Sequence, residues 1–190
     1  MFLYCKRYVF VMVAEKMFSS PERLKVVELL LFRPETVLKV REIAKKVRVS
    51  PALVSGTITL LKKAKIIRGS KVDYFHPVAK SLKIMLNIEK LESIKLIQKA
   101  RSLFKDCTGI GLYGSWANGT NTKDSDLDLW IKSDKESAEK VSELRRIFKR
   151  LGIEANIIML TEKRMEKLKE NDFVFYCMLY NSFILWGEGL

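Results

Sequence analysis

The chain has 190 residues, of which 48% are hydrophobic and 30% are charged, and its formal net charge at pH 7 is +13. This composition is typical of a globular protein and excludes an intrinsically disordered chain. The cysteines, Cys5, Cys107 and Cys177, are far apart in the sequence and form no C-x-x-C pair. A disulfide framework or a zinc site is therefore not expected, whereas a reducing, cytoplasmic location is.

The first 19 residues are largely apolar, but charged side chains interrupt them. Their longest uncharged run, residues 8–14, is much shorter than the roughly 20 residues that cross a membrane. A signal peptide would need a longer apolar region and a small-residue cleavage site. We therefore expect no membrane segment, and we predict that residues 1–19 pack on the body of the protein.

The positive charge is concentrated in the first half of the chain. Residues 1–105 hold 23 Lys and Arg against 8 Asp and Glu, whereas residues 106–190 hold 12 against 14. Such asymmetry predicts a basic region that meets a polyanion and a second region with another task. The alternative is a lysine-rich surface of the kind that thermophilic proteins carry.

The basic half begins with a helix, helix, turn, helix pattern. Ser-Pro pairs at residues 20–21 and 50–51 supply a capping hydroxyl and a proline at the first helical position. Hydrophobic periodicity places a short helix at residues 41–47 and a third helix at residues 51–64. Largely apolar runs at residues 66–68 and 72–75, on both sides of the Gly-Ser turn at residues 69–70, then predict the two strands of a β-hairpin.

This order of elements, over residues 20–78, resembles a winged helix-turn-helix domain. The resemblance implies that the third helix enters the major groove of DNA and that the hairpin contacts the backbone or the minor groove. The residues that it places near bases are Ser55, Thr59 and Lys62. Those that it places near phosphates are Arg48, Lys63, Arg68 and Lys71. The alternative is a protein-interaction or dimerisation module.

A basic helical connector follows the hairpin over residues 79–105. Its leucines and isoleucines are spaced for packing. We predict that its second part, from about residue 88, belongs to the following domain. The predicted organisation is therefore a winged helix-turn-helix with connector at residues 20–87 and a second domain at residues 88–190.

Two aspartates lie one residue apart shortly after a Gly-Ser turn in the second half. An apolar strand, residues 109–113, ends at Gly114-Ser115, and a polar loop leads to a strand that carries Asp126 and Asp128. Because side chains alternate along a strand, both carboxylates share one face, with their Cβ atoms about 7 Å apart. They repel each other unless a cation such as Mg²⁺ lies between them. The alternative is a pair of solvated aspartates on an edge strand.

The spacing of the Gly-Ser turn and the D-x-D strand resembles the polymerase-β-type nucleotidyltransferase superfamily, over residues 88–188. The resemblance implies that Gly114 and Ser115 hold the triphosphate of an NTP, with ATP expected, and that Asp126 and Asp128 bind Mg²⁺ or Mn²⁺. Many members carry an arginine where this chain has an asparagine at position 118. Lys123 is therefore the candidate for a cationic phosphate contact.

The superfamily also uses a third carboxylate on a neighbouring strand. The next predicted strand, residues 153–159, follows a helix that a Ser133–Glu136 capping box is predicted to begin. Glu154 and Asn156 share one face of that strand, and Glu154 is the acid available as catalytic and metal-binding residue. If Asn156 takes the position instead, the site is one acid short, because an amide oxygen can bind a metal but cannot act as an anionic base.

The predicted fold class is α+β, with a winged helix-turn-helix followed by a small mixed sheet with flanking helices. The first functional hypothesis is a Mg²⁺-dependent nucleotidyltransferase that moves NMP from an NTP to a hydroxyl. The alternative is a DNA-binding transcriptional regulator whose nucleotidyltransferase domain only binds a nucleotide. A D-x-D glycosyltransferase is disfavoured, because the chain has no room for a nucleotide-sugar-binding half.

The expected partners follow from the charge and from the two resemblances. The basic half favours nucleic acid, DNA over RNA. Similar minimal nucleotidyltransferases act beside HEPN-type proteins, so such a protein is a candidate acceptor. Winged helices often form dimers, so a homodimer is a further expectation.

Overall fold

The computed structural model of the chain describes residues 15–16 and 19–190. The chain forms two compact units, the first ending at Lys83 and the second running from Ile84 to Leu190. The packing predicted for residues 1–19 concerns positions that lie mostly outside the described part. Within that part, no helix is both long and apolar enough to cross a membrane.

The first unit carries helices that begin where the Ser-Pro pairs predict them. Its elements are helices α1 (Pro21–Phe32), α2 (Val40–Val47) and α3 (Pro51–Lys63), then strands β1 (Ile67–Arg68) and β2 (Lys71–Val72). The hydroxyl oxygen of Ser20 accepts a hydrogen bond from the backbone N–H of Arg23, and that of Ser50 accepts one from Leu53. Both predicted N-caps are therefore confirmed.

The hairpin of the first unit is shorter than the sequence predicts. Strands β1 and β2 pair antiparallel over two residues each, whereas the apolar run predicted a second strand over residues 72–75. The chain turns at Asp73, whose carbonyl accepts a hydrogen bond from the N–H of His76 at 3.1 Å. The hydroxyl of Tyr74 donates to the carbonyl of Leu30 at 3.2 Å. Residues 73–76 therefore anchor the end of the hairpin on α1 instead of extending the strand.

The connector consists of two helices, α4 (Pro77–Ser93) and α5 (Leu96–Leu103). Lys95 lies between them with φ 55° in the left-handed region, which ends the first helical run. Helix α4 begins in the first unit and ends in the second.

A mixed four-stranded sheet, of order β5-β4-β3-β6, forms the centre of the second unit. The strands are β3 (Cys107–Tyr113), β4 (Leu127–Ser133), β5 (Ala155–Leu160) and β6 (Phe183–Gly187), and the helices between them are α6 (Gly114–Asn118), α7 (Ala138–Arg150), α8 (Glu162–Asn171) and α9 (Phe173–Tyr180). Strand β3 is antiparallel to β4 and β6, whereas β4 and β5 are parallel. The predicted α+β class is confirmed.

Hydrophobic clusters cover both faces of this sheet. One cluster joins Leu112 and Leu129 to Leu144 and Phe148 of α7. On the other face, the fully buried Trp130 packs with Tyr113, Leu160 and Leu179. A Cβ atom on Gly111 would lie 2.1 Å from Trp130 Cε2, so the indole needs a glycine on the neighbouring strand.

The predicted capping box of α7 is wrong. The helix begins at Ala138, and its N-cap is Ser137, whose hydroxyl oxygen accepts a hydrogen bond from the N–H of Lys140 at 3.3 Å. Ser133 is instead the buried last residue of β4, paired with Cys107. Because sheet pairing continues to Ser133, the next serine in the sequence becomes the cap.

Candidate functional site

Three polar side chains converge where β4 and β5 begin. Asp126 is exposed and precedes β4, while Asp128 is its second residue and is half-buried. Asn156 lies opposite Asp128 in the parallel pairing of the two strands. Its amide Nδ2 donates to Asp128 Oδ1 at 3.1 Å and is 3.4 Å from Asp126 Oδ2. The structure thus joins the aspartates through a neutral amide.

Gly114 leaves room for the carboxylate of Asp128, because it carries no side chain. The glycine has φ +67°, and an added Cβ would lie 2.3 Å from Asp128 Oδ2. Its backbone conformation and this close approach both require the absence of a side chain. The Gly-Ser turn and the D-x-D strand are therefore in direct contact, as strands β3 and β4 pair with Tyr113 opposite Asp128.

Burial and charge act together on the ionisable groups of this site. Burial raises the pKa of Asp128 above its usual value, the hydrogen bond from Asn156 opposes that rise, and the charge of Asp126 adds to it. Burial, followed by the charge of Asp128, raises the pKa of Tyr113 to about 12. Tyr113 is therefore a neutral phenol near pH 7, and Asp128 holds its proton more tightly than a solvated aspartate does.

Glu154 is placed in a different environment. Its Oε1 lies 3.2 Å from Lys149 Nζ, in an exposed ion pair with the last turn of α7. The residue precedes β5, and its carbonyl accepts the N–H of Leu127 at 2.9 Å. The structure brings Asn156, and not Glu154, to the two aspartates. A catalytic role for Glu154 stays a prediction.

Asp126 and Asp128, at the start of β4, are the residues of this site that could hold a divalent cation. Mg²⁺ at nucleotide sites takes one or two carboxylates together with phosphate oxygens. Asp126 and Asp128 supply those carboxylates, and the amide of Asn156 can present its oxygen if it rotates. Over residues 15–16 and 19–190, no three Asp, Glu, His or Cys side chains are grouped so that they could hold a metal ion. The two carboxylates that the structure brings together here are those of Asp126 and Asp128.

The loop between the Gly-Ser turn and the aspartates is fixed by hydrogen bonds. The N–H groups of Thr120 and Asn121 donate to the carbonyl of Ser115, at 2.9 and 3.2 Å. The indole Nε1 of Trp116 donates to the carbonyl of Ser125 at 3.2 Å. Lys123 is exposed within the loop. Ser115 thus lies at the base of an ordered loop.

A buried pair of asparagines anchors the same loop, and sequence reasoning missed it. Asn87 of α4 and Asn121 exchange amide hydrogen bonds of 3.1 Å in both directions, and Asn87 Nδ2 also donates to the carbonyl of Trp116 at 2.8 Å. The signal in the sequence was Asn87 itself, a polar residue that lies between the apolar Leu86 and Ile88 within a predicted helix. A buried amide needs such partners.

A pocket of about 370 Å³ opens beside Gly114. Its walls come from the end of β3, from α6 and from α9 with the residues after it: Tyr113, Gly114, Ala117, Asn118, Val174, Cys177, Met178, Asn181 and Ser182. The volume is in the range of small-molecule sites. Sequence reasoning did not identify α9 as a wall of the site, because the position of this helix beside Gly114 depends on the folded sheet.

The residues predicted to bind DNA all lie on the surface of the first unit. Those exposed side chains are Arg48, Ser55, Thr59, Lys62, Lys63, Arg68 and Lys71. Ser55, Thr59 and Lys62 line a pocket of about 290 Å³ together with the turn of the hairpin. Arg68 Nε lies 3.3 Å from Asp73 Oδ2, so part of its charge is neutralised. The other cations are not among the residues that line this pocket.

Residues 93–180 match the family model described as nucleotidyltransferase domain. The matched segment contains Gly114, Asp126, Asp128 and Asn156. The match lies within the second unit and spans the segment whose Gly-Ser and D-x-D residues resemble those of nucleotidyltransferases. The first unit lies outside the match, so the winged helix-turn-helix assignment stays a prediction.

The other comparisons add little to this assignment. No curated protein matches the chain. One similar solved structure is the rebuilt and re-refined tri-AMPylated Shewanella oneidensis HEPN toxin in complex with MNT antitoxin; its matched chain has 18% identity and a TM-score of 0.37, with 55% of this chain and 73% of that chain covered. A likeness at that TM-score supports no argument about fold, substrate or partner.

Proposed function

We propose that this chain is a nucleotidyltransferase that transfers NMP from an NTP, with ATP the expected donor, to a hydroxyl acceptor and releases pyrophosphate. The observation that carries the proposal is the contact of Gly114 with Asp128, beside Asp126, inside the segment that matches the nucleotidyltransferase domain. This contact joins a turn suited to phosphates and a carboxylate pair suited to a divalent cation.

Asp126 and Asp128 are the proposed ligands of Mg²⁺ or Mn²⁺. When bound, the cation neutralises phosphate charge as the acceptor attacks the α-phosphorus. Gly114 lets phosphate oxygens approach the backbone, since it carries no side chain. The hydroxyl of Ser115 and the ammonium of Lys123 are the proposed further phosphate contacts.

Asn156 has a positioning role in this proposal. Its amide hydrogen atoms lie toward Asp126 and Asp128 and so hold two like charges near one another. Because an amide cannot accept the proton of the attacking hydroxyl as an anionic base would, we expect slow turnover. Glu154 forms an exposed ion pair with Lys149, and it is proposed as the third acid of the site only if its side chain turns toward the aspartates.

A second candidate function is a DNA-binding regulator whose second unit binds a nucleotide without transferring it. The same Asn156 amide favours this candidate, since it stands where a third carboxylate would complete the site. The excess of Lys and Arg over residues 1–105 supports nucleic acid as the ligand of the first unit. Ser55, Thr59 and Lys62, together with Arg48, Lys63, Arg68 and Lys71, are the proposed contacts.

For the other partners we propose a HEPN-type protein as acceptor, a homodimer as the assembly and the cytoplasm as the location. The first rests on the resemblance of the Gly-Ser and D-x-D residues to minimal nucleotidyltransferases. The second rests on the winged helix-turn-helix resemblance. The third rests on the widely spaced cysteines.

Transfer of radiolabel from each α-labelled NTP separates the two candidate functions. Purified protein is incubated with Mg²⁺ or Mn²⁺ and with RNA, DNA or a HEPN-type protein, alongside the double variant Asp126→Ala/Asp128→Ala. Asp134→Ala is the matched control, since it removes an exposed carboxylate just beyond the other end of β4. Transfer by wild type and by the control, but not by the double variant, supports the enzyme. Mg²⁺-dependent NTP binding without transfer to any acceptor supports the regulator.

A further inference from the structure

Helix α9 places a stripe of side chains on the pocket beside Gly114. The helix is apolar along its whole length, yet Leu179 is its one buried residue. Val174, Cys177, Met178 and Asn181 line the pocket and follow the i, i+3, i+4, i+7 spacing of one helical face. Val174 is 82% exposed. This stripe therefore faces a cavity and not the core.

Asn181 presents its amide oxygen at the end of this stripe. Its Nδ2 donates to the carbonyl of Cys177 at 2.8 Å. A carbonyl can only accept, so this bond determines which end of the amide carries the nitrogen. The Oδ1 atom is left as a hydrogen-bond acceptor for a ligand.

The next residue, Ser182, presents the opposite polarity. Its hydroxyl oxygen accepts a hydrogen bond from the indole Nε1 of Trp130 at 2.6 Å. Because an indole N–H is a donor only, the hydroxyl hydrogen of Ser182 is not used in this bond and can be donated to a ligand. Consecutive residues on the wall of one pocket thus offer an acceptor and then a donor.

We propose that this pocket binds the Watson–Crick edge of the base of the NTP and selects bases that carry on that edge an amino group beside a ring nitrogen acceptor, which are adenine and cytosine. The amino group donates to Asn181 Oδ1, and the ring nitrogen accepts from the hydroxyl of Ser182. Guanine and uracil present a carbonyl oxygen beside a ring N–H, so both polarities are reversed for them. Val174 and Met178 supply apolar contacts for the base.

The inference rests on the proposed function, because it assigns the base of the nucleotide that the aspartates and the Gly-Ser turn would hold. Gly114 connects the pocket for the base with the site for the phosphates, because it lines the pocket and also lies against the Asp128 carboxylate. A nucleotide whose base occupies the pocket can therefore place its phosphates at the Gly-Ser turn.

The test measures binding and not turnover. Isothermal titration with Mg²⁺ compares α,β-methylene analogues of ATP, CTP, GTP and UTP, together with inorganic tripolyphosphate, on wild type and on Asn181→Ala. The matched control is Asn171→Ala, since Asn171 Nδ2 makes the same type of bond, to the carbonyl of Lys167 at 2.9 Å, at the end of α8 and outside the pocket. Thermal unfolding of each variant reports whether it is folded.

The expected result is that the ATP and CTP analogues bind at least about tenfold more tightly than the GTP and UTP analogues, a difference of about 1.4 kcal/mol. Asn181→Ala should reduce that preference to less than about threefold without weakening tripolyphosphate binding, and Asn171→Ala should keep it. Whether ATP or CTP binds more tightly then distinguishes a purine from a pyrimidine pocket.

Three results would overturn the assignment of the pocket to adenine or cytosine and leave the proposed function standing. These are equal binding of all four analogues, a preference for the GTP or UTP analogue, and a preference for the ATP and CTP analogues that Asn181→Ala keeps. If neither tripolyphosphate nor any analogue binds, the proposed function fails, and the base assignment fails with it.

Discussion

The candidate residues of the two units differ in how the fold holds them. In the second unit, Gly114, Asp128 and Asn156 come from three segments and contact one another across paired strands. In the first unit, the candidate DNA contacts are exposed side chains on α3, in the hairpin and, for Arg48, at the end of α2. A change in the second unit should therefore disrupt a shared geometry, whereas changes in the first unit should act separately and add.

The sharpest test of the shared geometry is Gly114→Ala. The new Cβ would collide with Asp128 Oδ2, so we expect NMP transfer to fall by at least about 100-fold, the scale of one misplaced group at a reacting centre. Gly152→Ala is the matched control: Gly152 also has a positive φ, +72°, but an added Cβ there meets nothing within 4 Å.

The two glycine variants share the backbone strain and differ in the collision. Both should lose about 1 kcal/mol of unfolding free energy from the left-handed conformation alone, measured by urea denaturation. Equal residual transfer activity in the two variants would show that the contact of Gly114 with Asp128 has no part in the reaction.

The second test concerns the identity of the third polar residue. Asn156→Asp adds a third carboxylate beside Asp126 and Asp128. We expect about tenfold tighter Mg²⁺ binding by titration calorimetry and lower stability without Mg²⁺, because three like charges then lie together. The thermal shift produced by Mg²⁺ should grow in the same variant.

Glu154→Gln is the comparison for that test. Its ion pair with Lys149 is exposed, so its loss should cost at most about 0.5 kcal/mol of unfolding free energy and leave Mg²⁺ affinity unchanged. A loss of Mg²⁺ binding in Glu154→Gln would show that Glu154 turns toward the aspartates when the metal is present.

The third test addresses the basic surface of the first unit. Neutralising Lys62, Lys63 and Arg68 to Gln should weaken binding to a DNA duplex. The slope of log affinity against log salt should fall by about 1 for each phosphate that the protein no longer neutralises. Fluorescence anisotropy at several salt concentrations measures both quantities.

The control for this test is neutralisation of Lys163, Lys167 and Lys169, which lie exposed on α8 of the second unit. Net charge changes equally in the two triple variants. If both lose affinity to the same extent, binding depends on total charge, and the DNA-binding surface assigned to α3 and the hairpin is wrong.

The last test concerns a buried cation of the first unit, whose expected effect is on stability alone. Lys83 is 1% exposed, with its Nζ 5.3 Å from the centre of the Phe32 ring, and burial lowers its pKa to about 8. Between that value and its ordinary pKa near 10.5, the unfolded chain binds more protons than the folded one. Stability should therefore rise with pH, by about 1 kcal/mol from about pH 7.5 to about pH 9.

Urea denaturation of wild type and of Lys83→Met across this pH range tests that expectation. The variant keeps a long apolar side chain and lacks the titrating group, so its dependence on pH should be smaller. An unchanged slope would assign the dependence to other groups.

Local signals in the sequence predicted most of the elements. Ser20 and Ser50, each followed by proline, marked helix starts that the structure confirms. The alternating apolar run around Asp128 gave its strand within one or two residues at each end. These features depend on neighbours in the sequence, so one segment suffices to predict them.

The features that sequence reasoning missed depend on distant segments. The choice between Glu154 and Asn156 required the register of β5 on β4, and the choice between Ser133 and Ser137 as a cap required the length of that pairing. The pocket wall on α9 required the position of that helix over the sheet. None of these follows from periodicity within a single element.

The parallel pairing of β4 with β5 also has a consequence for folding kinetics. Asn156 can meet Asp128 only after the segment that contains α7 has brought β5 back beside β4. Parallel pairings of this kind form late, because the intervening segment must first be ordered. The polar cluster is thus a reporter of the completed sheet. During refolding, we expect metal-dependent nucleotide binding to return later than the spectroscopic signal of the helices, at the rate at which β5 joins the sheet.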